Sequence, residues 1–96
     1  MSKYKVEIKI TGEITKYALA LEGEDVRLQE NPEHVYTRTY TSFIIEEPLE
    51  FSLIMHGVHT TKWAVEMKIN DVVKLSEKGV FPKKKMVSMF KQISLP

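Results

Sequence analysis

Apolar and polar residues alternate along most of this chain. Between residues 3 and 10, Tyr4, Val6, Ile8 and Ile10 alternate without exception with Lys3, Lys5, Glu7 and Lys9. Successive side chains of a strand point to opposite faces, so this rhythm predicts a half-buried β-strand. Residues 16–21 repeat it, with Tyr17, Leu19 and Leu21 on one face and Ala18 and Ala20 on the other. Thr11-Gly12-Glu13 lies between them as turn chemistry, and together the two segments read as an N-terminal hairpin.

From residue 22 to 34 the rhythm dissolves into loop composition, with room for a short strand over 26–29. Residues 35–45 are extended again, with a bend expected near Ser42. Glu46-Glu47-Pro48 ends that strand, because proline lacks the amide proton a sheet ladder needs. Leu49, Phe51, Leu53 and Met55 then share one face, as do Trp63, Val65, Met67 and Ile69 after a break at Gly57. The six residues 56–61 between these rows have the length of a hairpin loop. Asn70-Asp71 tolerates left-handed backbone angles and predicts a turn, followed by a short return strand over 72–75 and another turn at Lys78-Gly79.

The C-terminal stretch fits two periods. Met86, Val87, Met89, Phe90 and Ile93 match a helical stripe, with Pro82 suited to a first helical turn. Three lysines, 83–85, would then sit at the positive end of the helix dipole, which disfavours that reading. A strand over 87–95 places Val87, Met89, Ile93 and Leu95 inward, interrupted by Lys91, and is the expected form.

Composition sharpens the fold class. Val, Ile and Thr number 24 of 96 residues against 3 Ala, a balance that suits pleated sheets better than helices. Ninety-six residues fit one domain, 1–96, and one two-layer core. The chain therefore reads as an all-β, two-layer antiparallel β-sandwich of about seven or eight short strands, with a small partly open β-barrel as the alternative. There is no cysteine, which removes disulfides, thiolate nucleophiles and sulfur-ligated zinc. No apolar run approaches the ~20 residues of a membrane helix, and the alternating N-terminus has no leader core. A cytoplasmic protein with no membrane association is expected.

Candidate chemistry is sparse. Glycine-rich phosphate loops and a serine nucleophile elbow are absent, so an enzyme is not expected and no cofactor is implied. The net charge of +1 gives little steering toward nucleic acid. The amphipathic Tyr36, Arg38 and Tyr40 strand is the candidate binding surface. His56 and His59, three apart in the expected loop, are a candidate metal pair, weighed against two solvated imidazoles. The three lysines at 83–85, flanked by Phe81 and Phe90, are the candidate phosphate contacts of a nucleic-acid-binding barrel, weighed against a charge that blocks sheet-edge pairing. By elimination the expected function is a non-enzymatic interaction module. It would bind a protein partner, or a second copy as a homodimer, through a sheet face or strand edge.

Overall fold

Val6 and Ile10 are fully buried, and so are Leu49, Phe51, Leu53 and Met55, so the inward rows expected from the alternation do form the core. A computed structural model of the chain describes residues 2–83 and 86–95. Among them are nine strands: β1 (Ser2–Thr11), β2 (Ile14–Leu21), β3 (Glu24–Asp25), β4 (Gln29–Asn31), β5 (Val35–Ile45), β6 (Leu49–Gly57), β7 (Lys62–Ile69), β8 (Val72–Val80) and β9 (Val87–Ile93). They form a five-stranded sheet in the order β4-β5-β1-β7-β8 and a four-stranded sheet in the order β3-β2-β6-β9. All pairings are antiparallel. The two sheets enclose one apolar cluster, as a β-sandwich does. Each sheet ends in two unpaired edges, so neither closes into a barrel. The C-terminal stretch is a strand, with Ile93 buried and Val87, Met89 and Leu95 packed against the core.

Several expected hairpins are instead crossings between sheets. Both edges of β1 are occupied, by β5 on one side and β7 on the other, so β2 has no place beside it and pairs with β6 in the facing sheet. Gly12 carries the chain across with φ 147° while its N–H donates to the His34 carbonyl at 3.0 Å. The expected 56–61 loop is shorter, since β6 runs to Gly57, and residues 58–61 likewise join β6 to β7 in the other sheet. The expected hairpin at 70–71 does form: Asn70 and Asp71 have φ of 48° and 65°, the pair of left-handed residues that matches the twist of two adjacent strands. The bend near Ser42 is a bulge, where Thr41 and Ser42 together oppose one residue of β1 between the pairs Tyr4↔Phe43 and Val6↔Tyr40.

β8 does not stop at residue 75 or turn at Lys78-Gly79 but runs on to Val80. Glycine serves a packing purpose there. Trp63 pairs directly with Gly79, and a Cβ on Gly79 would lie 2.8 Å from Trp63 Cζ2. The indole therefore rests on a strand position with no side chain, an aromatic covering a glycine. Gly57 repeats the device at the end of the inward row Leu49, Phe51, Leu53, Met55. Its Cβ would fall 2.5 Å from Phe81 Cδ2, so the buried Phe81 ring fills that slot. Phe81 is held there by two backbone bonds, its N–H to the Thr61 carbonyl and the Thr60 N–H to its own carbonyl, at 2.9 and 3.0 Å.

Lys91 occupies an inward position on the edge strand β9, opposite Phe51. Its ammonium reaches out to Glu77 of β8, 3.0 Å away. An inward charge on an edge strand keeps a further strand from adding there, and its aliphatic stem covers part of the core rim.

Candidate interaction surface

Tyr36, Arg38 and Tyr40 share the inward face of β5, paired with Ile10, Ile8 and Val6 of β1. Their burial differs along the strand. Tyr36 is buried, packs edge-on to Tyr17 of β2 with centroids 6.2 Å apart, and donates its hydroxyl to Glu30 Oε2 at 3.0 Å. The Tyr17 hydroxyl in turn accepts from the Leu28 N–H at 2.9 Å. Arg38 is exposed, with its guanidinium over the Tyr40 ring at 4.7 Å, and Tyr40 stacks tilted on Phe43 with centroids 4.8 Å apart. The three residues thus split into a core tyrosine and an Arg38–Tyr40 stack at the open side of the sandwich.

His56 lies on β6 directly opposite Lys16, half-buried, whereas His59 is exposed in the following turn. Among the described residues no group of three or more His, Cys, Asp or Glu converges, and the Lys16 ammonium opposite His56 repels a cation there. Of the basic run, Lys83 is exposed and Lys84 and Lys85 lie outside the described residues. An open groove of about 520 Å³ is lined by Thr11, Lys62, Trp63, Ala64, Lys78, Gly79 and Val80. None of these residues carries a carboxylate or imidazole for proton transfer. No helix of the structure is long and apolar enough to cross a membrane.

The outer faces of the two sheets differ. That of the five-stranded sheet sets the exposed Ile44, Val73 and Val80 among charges, with Lys5 at 3.2 Å from Glu7 and 3.4 Å from Asp71, and Lys68 at 3.9 Å from Glu66. Such exposed pairs add little stability but keep a face solvated. On the four-stranded sheet, register places four rows across β2, β6 and β9. The first is Lys16 and His56; the second Ala18, Ile54 and Ser88; the third Ala20, Ser52 and Phe90; the fourth Glu50 and Gln92. The two middle rows hold no charge on these three strands. Phe90, on the edge strand β9, is 64% exposed and Ile54, on the inner strand β6, 44%; both sit midway along their strands. Sequence reasoning does not bring these two residues together, although the signal is present: the middle outward positions of β2, β6 and β9 are Ala, Ser, Ile and Phe, while the outward row of β1 is Lys and Glu.

The fourth row closes on an acidic end. Glu22, in left-handed conformation with φ 52°, donates its N–H to the Glu50 carbonyl at 2.9 Å, and its Oε1 is buried without a hydrogen-bond partner. Burial raises the Glu22 carboxyl above the usual 4.5, opposed by a backbone hydrogen bond from Glu50 and reinforced by the Glu50 and Glu46 charges. A raised folded-state value means that protonated Glu22 favours the fold and that this advantage is lost as pH rises through the folded value. Glu22→Gln should therefore stabilise the protein at pH 7, with the gain over the parent vanishing below about pH 4. Urea melts at the two pH values check it, and an equal effect at both would refute the buried-carboxylate account.

Compared with protein-family models, with curated proteins and with solved structures, the chain matches none.

Proposed function

We propose that this protein is an interaction module that associates with a second copy of itself through the outer face of the four-stranded sheet. The observation that carries this reading is the neighbouring pair Phe90 and Ile54, well exposed midway along β9 and β6 on a face whose middle rows hold only Ala and Ser besides them on β2, β6 and β9. Apolar patches framed by polar residues favour contact, because burying them releases structured water. The net charge of +1 opposes self-association little.

A face is favoured over an edge. The edge strands β3 and β4 have two and three residues, β9 carries the inward Lys91, and β8 is bulged between its pairings with Met67 and Lys68. Short, bulged and inwardly charged edges resist strand addition.

Three to four strands about 4.8 Å apart and four rows deep give a patch of about 400 Å² per copy. Stable complexes need about 800 Å² per partner, so the association should be weak, with Kd in the micromolar range or above. Sedimentation velocity from about 10 µM to about 1 mM should show the weight-average coefficient rising toward a dimer, and Phe90→Ser should hold it at the monomer value. A monomer throughout, or a dimer untouched by Phe90→Ser, defeats the reading.

A further inference from the structure

Resting on that reading, we infer that the two copies pair face to face about a two-fold axis running across the strands, so that the Lys16 end of each sheet lies over the Glu50 end of the other. In a two-fold interface one patch meets itself, residue i touching residue j and j touching i. For two stacked sheets the axis can run along the strands or across them, and the four rows discriminate between the two.

An axis across the strands, between the second and third rows, lays the second row of one copy on the third row of its partner. Each large side chain then meets a small one on the same strand: Phe90 lies over the partner's Ser88, Ile54 over the partner's Ser52, and Ala18 over the partner's Ala20. The same rotation brings the first row onto the fourth. His56 of one copy then lies over Glu50 of the other on β6, with Lys16 one strand away on β2, twice by symmetry. Asp25, opposite Ala20 on β3, adds to the negative half.

An axis along β6 leaves every row on itself. It lays Ile54 on Ile54, His56 on His56 and Glu50 on Glu50, so like charge meets like charge and the two isoleucines collide, although Phe90 would still meet the partner's Ala20. Like charges juxtaposed across an interface suppress that arrangement, while complementary ends fix register. Large-over-small contacts let two faces interdigitate at the spacing of packed sheets. Charge selects the crossing axis, and the Ile54 contact agrees with it.

The test is a charge swap between copies. Lys16→Glu alone makes both ends acidic and Glu50→Lys alone makes both ends basic. Each variant by itself should dimerise about tenfold more weakly than the parent, because two attractive pairs become repulsive. Mixing the two variants restores both pairs. Position 16 of the first variant, now acidic, lies one strand from position 50 of the second, now basic, while the unaltered Lys16 of the second lies likewise near the unaltered Glu50 of the first. Association of the mixture should return to within a few-fold of the parent. Sedimentation equilibrium of each variant and of the equimolar mixture reads this directly. Raising salt to about 1 M should shrink the difference between mixture and single variants, since the screening length falls to about 3 Å.

If the parent dimerises through Phe90 but the mixture associates no better than the single variants, the crossing axis is wrong while the self-association reading stands. If the parent is monomeric at all concentrations, both fall together. Dimerisation that ignores both Phe90→Ser and the charge swap removes the sheet face as the contact and overturns both.

Discussion

Phe81→Ala should cost about 3–5 kcal/mol of stability, a large part of the roughly 5–15 kcal/mol that holds a small domain together. The ring is 1% exposed and fills the inward position that Gly57 leaves empty at the end of β6. Deleting it opens a cavity beside Gly57, whose strand is tied there to Ile14 of β2. The reverse change, Gly57→Val, places methyl groups where the Phe81 ring now lies and should cost about 1–3 kcal/mol or more through overpacking. The two changes compete for one volume, so the double variant Gly57→Val with Phe81→Ala should be less destabilised than the sum of the singles by about 1–3 kcal/mol. Urea unfolding of the four proteins closes the cycle. Strict additivity would show that glycine and ring do not share a slot. Gly23 supplies a contrast, since a Cβ there meets nothing within 4 Å; its φ of 78° makes Gly23→Ala a purely backbone cost.

Period-two alternation specifies which side of a strand faces the core, and it does so correctly for Val6, Ile8 and Ile10, for Leu19 and Leu21, and for the whole row from Leu49 to Met55. It is silent about which sheet a strand joins. Thr11-Gly12-Glu13 and Asn70-Asp71 both separate alternating segments, yet the first crosses between sheets and the second turns within one. The distinction lies in local chemistry: only Asn70-Asp71 offers two consecutive residues comfortable at positive φ. The glycines at 57 and 79 look like breaks because a glycine within a strand weakens it when considered alone. Their reason is long-range, the arrival of Phe81 and Trp63, and no short window reveals it. The same limit applies to the surface. Tyr36 and Tyr40 look equivalent on one strand, but the first packs on Tyr17 of the facing sheet, while the second stacks with Arg38 and Phe43 of its own strand. The outward rows of β2, β6 and β9 are legible one by one, and only their alignment across the sheet makes a patch.

Tyr36→Ala should also be severely destabilising, by about 3–4 kcal/mol, whereas Arg38→Ala two residues away should change stability by less than about 0.5 kcal/mol. Tyr36 loses its place among Ile10, Tyr17 and the core on truncation, and Glu30 loses its donor. Tyr36→Phe keeps the ring and its edge-on contact with Tyr17, so it should cost only about 1 kcal/mol, the net worth of one hydrogen bond. The phenol also makes the fold sensitive to alkali. Burial pushes its ionisation above the ordinary 10, with the hydrogen bond to Glu30 and the Glu30 charge adding in the same direction. A raised folded-state value means the stabilisation is intact below about pH 10 and is lost as pH rises through the folded value, because the unfolded chain releases the proton first. Parent and Tyr36→Phe should therefore differ at about pH 8 and converge above about pH 10. Denaturant melts across that range decide the matter: if Tyr36→Ala leaves stability unchanged, or if the difference between Tyr and Phe grows with alkali, the side chain is not a buried, hydrogen-bonded brace between β5 and β2.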